Sequence, residues 1–118
     1  MSRLLLRLAS PLFALLMATP AGAAVLTCNG TINQVRLVTD GSLQVLPSWR
    51  GDWVNLCNIN TIWKSIPLEV CKRLHASALT AQATQGTTST YYASATATSC
   101  GTMATGTTAD APTSFTNQ

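Results

Sequence analysis

Cys28, Cys57, Cys71 and Cys100 carry the most definite chemistry in this 118-residue chain. Four thiols can ligate a metal or oxidise in pairs. Structural zinc sites draw on cysteines two to four residues apart or on histidines at similarly short spacing. Here no two cysteines are closer than 14 residues, and His75 is the single histidine. Two disulfides are therefore expected, and no metal. Spacing alone leaves three pairings open: 28–57 with 71–100, 28–71 with 57–100, and 28–100 with 57–71.

The side chains able to move protons are few. His75 neighbours Leu74 in an alanine-rich stretch and reads as a helix-surface residue. Asp40 and Asp52 each sit beside a glycine, where a short carboxylate serves turn geometry. No nucleophile elbow, metal-binding helix motif or phosphate-cradling glycine loop occurs. The expectation is a protein without catalytic residues or cofactor, and not an enzyme.

Aromatic residues offer more. Trp49, Trp53 and Trp63 fall within fifteen residues, together with Arg50 and several asparagines. Indole faces give large contact area with a polar handle, as ring-stacking ligands require. Trp49 lies in an expected turn and Trp63 in an expected connection, so Trp49, Arg50 and Trp63 are the candidate ligand-binding residues. Trp53 falls in an expected strand and is assigned to the core. Tyr91 and Tyr92 are adjacent in another strand, so one faces in and the other out.

These residues must be placed by a small domain behind a leader. Arg3 and Arg7 flank a leucine-rich stretch, an apolar run follows to Met17, and Pro20 precedes the small residues Ala21-Gly22-Ala23-Ala24. That is the pattern of a cleavable export signal, with cleavage expected after Ala23 or Ala24. Residues 1–24 are thus read as signal peptide and 25–118 as one domain with a Thr/Ala/Ser-rich C-terminal segment. The run is too interrupted by Pro11 and Pro20 for a membrane-spanning helix, which needs about 20 apolar residues. The formal charge of +3 loses both leader arginines on cleavage. Only Lys72 and Arg73 among the remaining cations are adjacent, which speaks against nucleic acid as a partner. A secreted or periplasmic protein follows, folded where thiols oxidise.

Within the domain, Cys28–Val38 reads as a strand, Asp40-Gly41 as a hairpin turn, and Leu43–Leu46 as the return strand. Trp53–Cys57 reads as a third strand. Ile66 to about Gln85 reads as the single helix, with Ser65 as cap, Pro67 in the first turn and Gly86 as the left-handed stop. Val70, Cys71, Leu74, Ala78 and Ala81 form its apolar stripe. Thr87–Ser94 reads as a fourth strand, and a short fifth is expected around Thr113–Phe115.

That order, strand-strand-strand-helix-strand with an optional fifth strand, is the order of an OB-like Greek-key barrel. The fold class is mainly β with one helix, stabilised by disulfides. In such a barrel the first strand lies antiparallel to the fourth, so Cys28 at the start of one meets Cys100 beyond the end of the other. Cys57 ends the third strand and Cys71 opens the helix. The barrel thus favours Cys28–Cys100 with Cys57–Cys71.

The run Cys28-x-Gly30-x-Ile32, Asp40-Gly41, Trp53-x-x-Leu56-Cys57, Cys71, Gly86, Tyr91-Tyr92 and Ser99-Cys100 resembles a group of small exported bacterial proteins. More distantly it is similar to the B subunits of subtilase-cytotoxin and typhoid-toxin type. That resemblance spans about Cys28 to Cys100. It implies an OB barrel, ring-forming homo-oligomers and glycan binding. The function expected is that of an exported binding module for a glycan or a partner protein, without stable membrane insertion after cleavage. A structural envelope protein with no small ligand is the alternative.

Overall fold

The computed structural model describes residues 23–118, so the expected leader lies outside the described residues apart from its last two positions. Six strands and one helix follow: β1 (Ala24–Gly30), β2 (Ile32–Leu37), β3 (Ser42–Pro47), β4 (Val54–Asn58), α1 (Leu68–Thr84), β5 (Thr88–Ala95) and β6 (Ser114–Asn117). A 3-10 turn covers Cys100–Thr102. The strands form two antiparallel three-stranded sheets, ordered β1-β5-β6 and β2-β3-β4. The molecule is mainly β with one helix, as its sequence implies.

The single first strand expected from Cys28 to Val38 is two strands in two sheets. The break falls at Thr31, whose N–H donates to Ser48 Oγ at 3.0 Å and whose carbonyl accepts from Ser48 N at 2.9 Å. Ser48 comes so close that a Cβ on Gly30 would lie 2.2 Å from its Oγ. A glycine there lets the chain fold over Ser48 and pass from one sheet to the other. The β2–β3 hairpin turns at Asp40-Gly41. Gly41 adopts φ +93°, and Asp40 Oδ1 accepts the Ser42 N–H at 2.8 Å. That bond holds the Asp40 carboxyl below the usual carboxylate range.

The expected barrel is not closed. β6 pairs only with β5, and β4 pairs only with β3. The outer edge of β4 is instead covered at a single residue. Gly106 donates to Trp53 O at 2.9 Å and accepts from Asn55 N at 3.3 Å, in a parallel bridge centred on Val54. This loop belongs to the segment of threonines, alanines and glycines that looks least structured in sequence. It nonetheless contributes Met103 and Ala109 to the core, both fully buried.

The helix is two residues shorter at its start than expected. Lys64 and Ser65 both take positive φ, +45° and +67°, so Pro67 rather than Ser65 occupies the cap position, and no side chain caps it. At the other end Gln85, not Gly86, is the left-handed residue, with φ +50°. Its Nε2 donates to Ile32 O at 3.1 Å and to Gln82 O at 2.7 Å, which offsets the backbone cost of a non-glycine there. The stripe Cys71, Ala78 and Ala81 is buried and Leu74 packs on the core beside it. Val70, expected in the same stripe, is 44 % exposed.

Both disulfides have the pairing favoured by the barrel order. Cys28–Cys100 ties β1 to the 3-10 turn, and Cys57–Cys71 ties β4 to the first turn of α1. Their Cα separations of 5.6 and 5.5 Å are ordinary for such bonds. No cysteine is left free.

Candidate functional site

The three tryptophans are distributed otherwise than the strand pattern suggests. Trp53 is half-buried and lies outside the core cluster. It stands one residue before β4, whose Val54 and Leu56 are fully buried core residues. Strand alternation turns its ring to the opposite face. The Arg36 guanidinium sits over that ring, 4.0 Å from the centroid. Arg36 is held in turn by its Nε–H, which donates to Gln44 Oε1 at 2.8 Å. Arg36 and Gln44 are cross-strand partners in β2 and β3, and Gln44 pairs with Asn55 in β4. Gln44 and Asn55 are themselves buried, so of this row only the Arg36 guanidinium and the half-buried Trp53 ring reach the surface.

Trp49 and Trp63, expected as exposed contacts, are both half-buried and both pack on the core. Trp49 meets the Tyr92 ring edge-on at 6.3 Å, and its Nε1 is sealed from solvent with no hydrogen-bond partner. Arg50, in the same turn, donates its Nε–H to Met103 O at 2.7 Å, pinning the β3–β4 turn to the 100–110 loop. Trp63 has the Lys64 ammonium 4.9 Å from its ring centroid. Trp49 precedes β4 in the chain and Trp63 follows it. The adjacent tyrosines divide as expected, with Tyr92 fully buried and Tyr91 half-buried.

Asp110 escaped the sequence reading altogether. It is only 6 % exposed. Its carboxylate accepts the Thr96 N–H at 3.0 Å, the Thr96 hydroxyl at 2.8 Å and the Ala97 N–H at 3.2 Å. Burial alone would raise its pKa, but these bonds and the nearby Lys64 charge outweigh burial and hold the carboxyl below its ordinary range. For Tyr92, burial and then the Asp110 charge push the phenol well above its usual range. Asp110 therefore organises the 95–110 loop through both of its carboxylate oxygens. An isolated aspartate in a polar repeat carries no motif that could have revealed it.

A groove of about 590 Å³ opens between the start of α1 and the chain entering β6. Lys64, Ile66, Val70 and Leu74 line one wall, and Pro112, Ser114 and Phe115 the other. None of Trp49, Arg50 and Trp63 lines it. Among the described residues no three His, Cys, Asp or Glu side chains gather as a metal site, and no helix is long and apolar enough to cross a membrane. No family model, curated protein or solved structure matches this chain.

Proposed function

We propose that this protein is an exported recognition module whose contact patch is the Trp53–Arg36 corner at the margin of the β2-β3-β4 sheet. The observation that carries the proposal is the Trp53–Arg36–Gln44 arrangement. An indole outside the core is held in one orientation by a guanidinium at 4.0 Å, itself fixed by a 2.8 Å hydrogen bond. A rigid aromatic loses little entropy on contact, and the guanidinium keeps further N–H donors for a hydroxyl, carbonyl or carboxylate. A glycan or the surface of a partner protein fits that chemistry. Two disulfides support an oxidising destination.

The architecture is read here as an OB-type barrel opened along one seam. In favour of this are the bend that carries the first strand through both sheets and the β1–β5 and β5–β6 pairings. Self-association of the toxin-subunit kind remains part of the proposal.

A glycan array probed with the oxidised protein, repeated with Trp53→Ala and Arg36→Ala, tests the reading. Selective binding lost in both variants, with folding retained, supports it. Binding unaffected by either variant overturns the assignment of the patch.

A further inference from the structure

Among the described residues, the edge of β6 is an unpaired strand edge that borders a groove. Gln118 N donates to Thr87 O at 2.9 Å, and the β5–β6 register pairs Thr116 with Ser89 and Ser114 with Tyr91. Hydrogen-bonded and outward-facing positions alternate in an antiparallel pair. The N–H and C=O groups of Phe115 and Asn117 consequently point away from β5, and no strand pairs with that edge. Their side chains turn inward: Phe115 packs against the core and Asn117 Nδ2 donates to Ser77 O of α1 at 3.2 Å.

The groove meets the beginning of this edge. Its lining joins the apolar side chains of Ile66, Val70, Leu74, Pro112 and Phe115 to polar ones from Ser65, Thr113 and Ser114. Val70 is 44 % exposed, outside the buried stripe of Cys71, Ala78 and Ala81. Lys64 is the sole charged residue in the lining. Its ammonium donates to Ala109 O, which leaves two of its three N–H groups for other acceptors. Asp110 stands nearby, but its oxygens are already engaged by Thr96 and Ala97. No acidic side chain lines the groove to repel an anionic guest.

We propose that the β6 edge and the adjoining groove bind an extended peptide from a partner protein, which adds a strand beside β6, seats an apolar side chain in the groove and places a carboxylate at Lys64. Main-chain bonds to Phe115 and Asn117 supply affinity, and the groove with Lys64 supplies selectivity, the division of labour usual in strand addition. β6 has four residues, so the paired part of the peptide spans about 13 Å. This site is independent of the Trp53 patch.

The test is an array of eight-residue peptides in which an apolar anchor and an Asp or Glu are varied in position, read with the oxidised protein. Binding is expected to require both groups. Lys64→Glu should lower affinity for acidic peptides at least tenfold and favour their lysine counterparts. Asn117→Pro, which removes one outward N–H without touching a β5 bond, should weaken all peptides similarly. In the unaltered protein, a bound peptide should slow amide exchange at Phe115 and Asn117, while Ser114 and Thr116 are slow already. Trp53→Ala should leave peptide binding intact. The proposal is overturned if no peptide binds, if binding ignores Lys64→Glu, or if the Phe115 and Asn117 amides do not respond. It is equally overturned if sedimentation shows a stable oligomer in which those two amides are protected without peptide, because a second copy then occupies the edge.

Discussion

Trp53 and Trp49 make opposite demands on the fold. Trp49 meets Tyr92 edge-on and packs against the core, so Trp49→Ala should cost about 3 kcal/mol, near the low end for truncating a buried aromatic. Trp53→Ala should cost only about 1 kcal/mol, the scale of a surface cation–π contact. Urea denaturation of the two variants orders them directly, and a larger loss for Trp53 would return that ring to the core. Asp110 has a different signature. Its folded pKa is lowered, so its stabilisation is present above the unfolded carboxyl value of about 4 and fades as pH falls through the folded value. Asp110→Asn should lose about 1–2 kcal/mol at neutral pH, since bonds to a charged acceptor become bonds to a neutral one. The difference between variant and parent should shrink below pH 4, which a stability–pH series measures.

At the scale of elements, the two disulfides separate by loop length. Cys57–Cys71 spans 14 positions and Cys28–Cys100 spans 72. Restriction of the unfolded chain assigns about 3 kcal/mol to the first and about 4 kcal/mol to the second. Paired alanine variants should follow that order in denaturant. The second bridge has a further local effect, because Cys100 leads into the loop that carries Met103, the Gly106 bridge and Asp110. Loss of Cys28–Cys100 should make the 96–112 segment the first site of proteolytic cutting, whereas loss of Cys57–Cys71 should expose the connection before α1. Cleavage between the two bridges in the reverse order would contradict this division. β1 also touches the expected export site, since Ala24 already pairs with Ala95. Cleavage after Ala23 would preserve that pair, and amino-terminal mass analysis of the protein purified from its host would distinguish it from cleavage after Ala24.

For the whole molecule, the consequence is that the Thr/Ala/Ser-rich last segment is built into the folded body. Residues 95–118 cover the edge of β4 at one residue, supply core side chains and include β6. This C-terminal segment thus takes part in holding the two sheets together, beside the hairpins that precede it. A chain ending at Thr105 should fail to give a cooperative unfolding transition. Its remaining sheets would lose the Gly106 bridge, the Asp110 anchor and the β5–β6 pairing together.

Local patterns were enough for much of this. Asp40-Gly41, the β-branched runs and the alanine-rich stripe each encode their element through bonds and spacing within a few residues. The strands, the helix and the hairpin were therefore legible, and strand order then selected the cysteine pairing. What escaped depended on residues far apart in the chain. Ser48 breaks the first strand by meeting Gly30 and Thr31, and Gln85 ends the helix by reaching Ile32. Trp49 is drawn to the core by Tyr92, while Trp53 is turned outward and held by Arg36. Asp110 orders a polar loop through backbone amides 13 and 14 residues away. Hydropathy and turn propensity are properties of neighbours in sequence, whereas the facing of each indole and the order of the last segment come from contacts made only after the sheets pack.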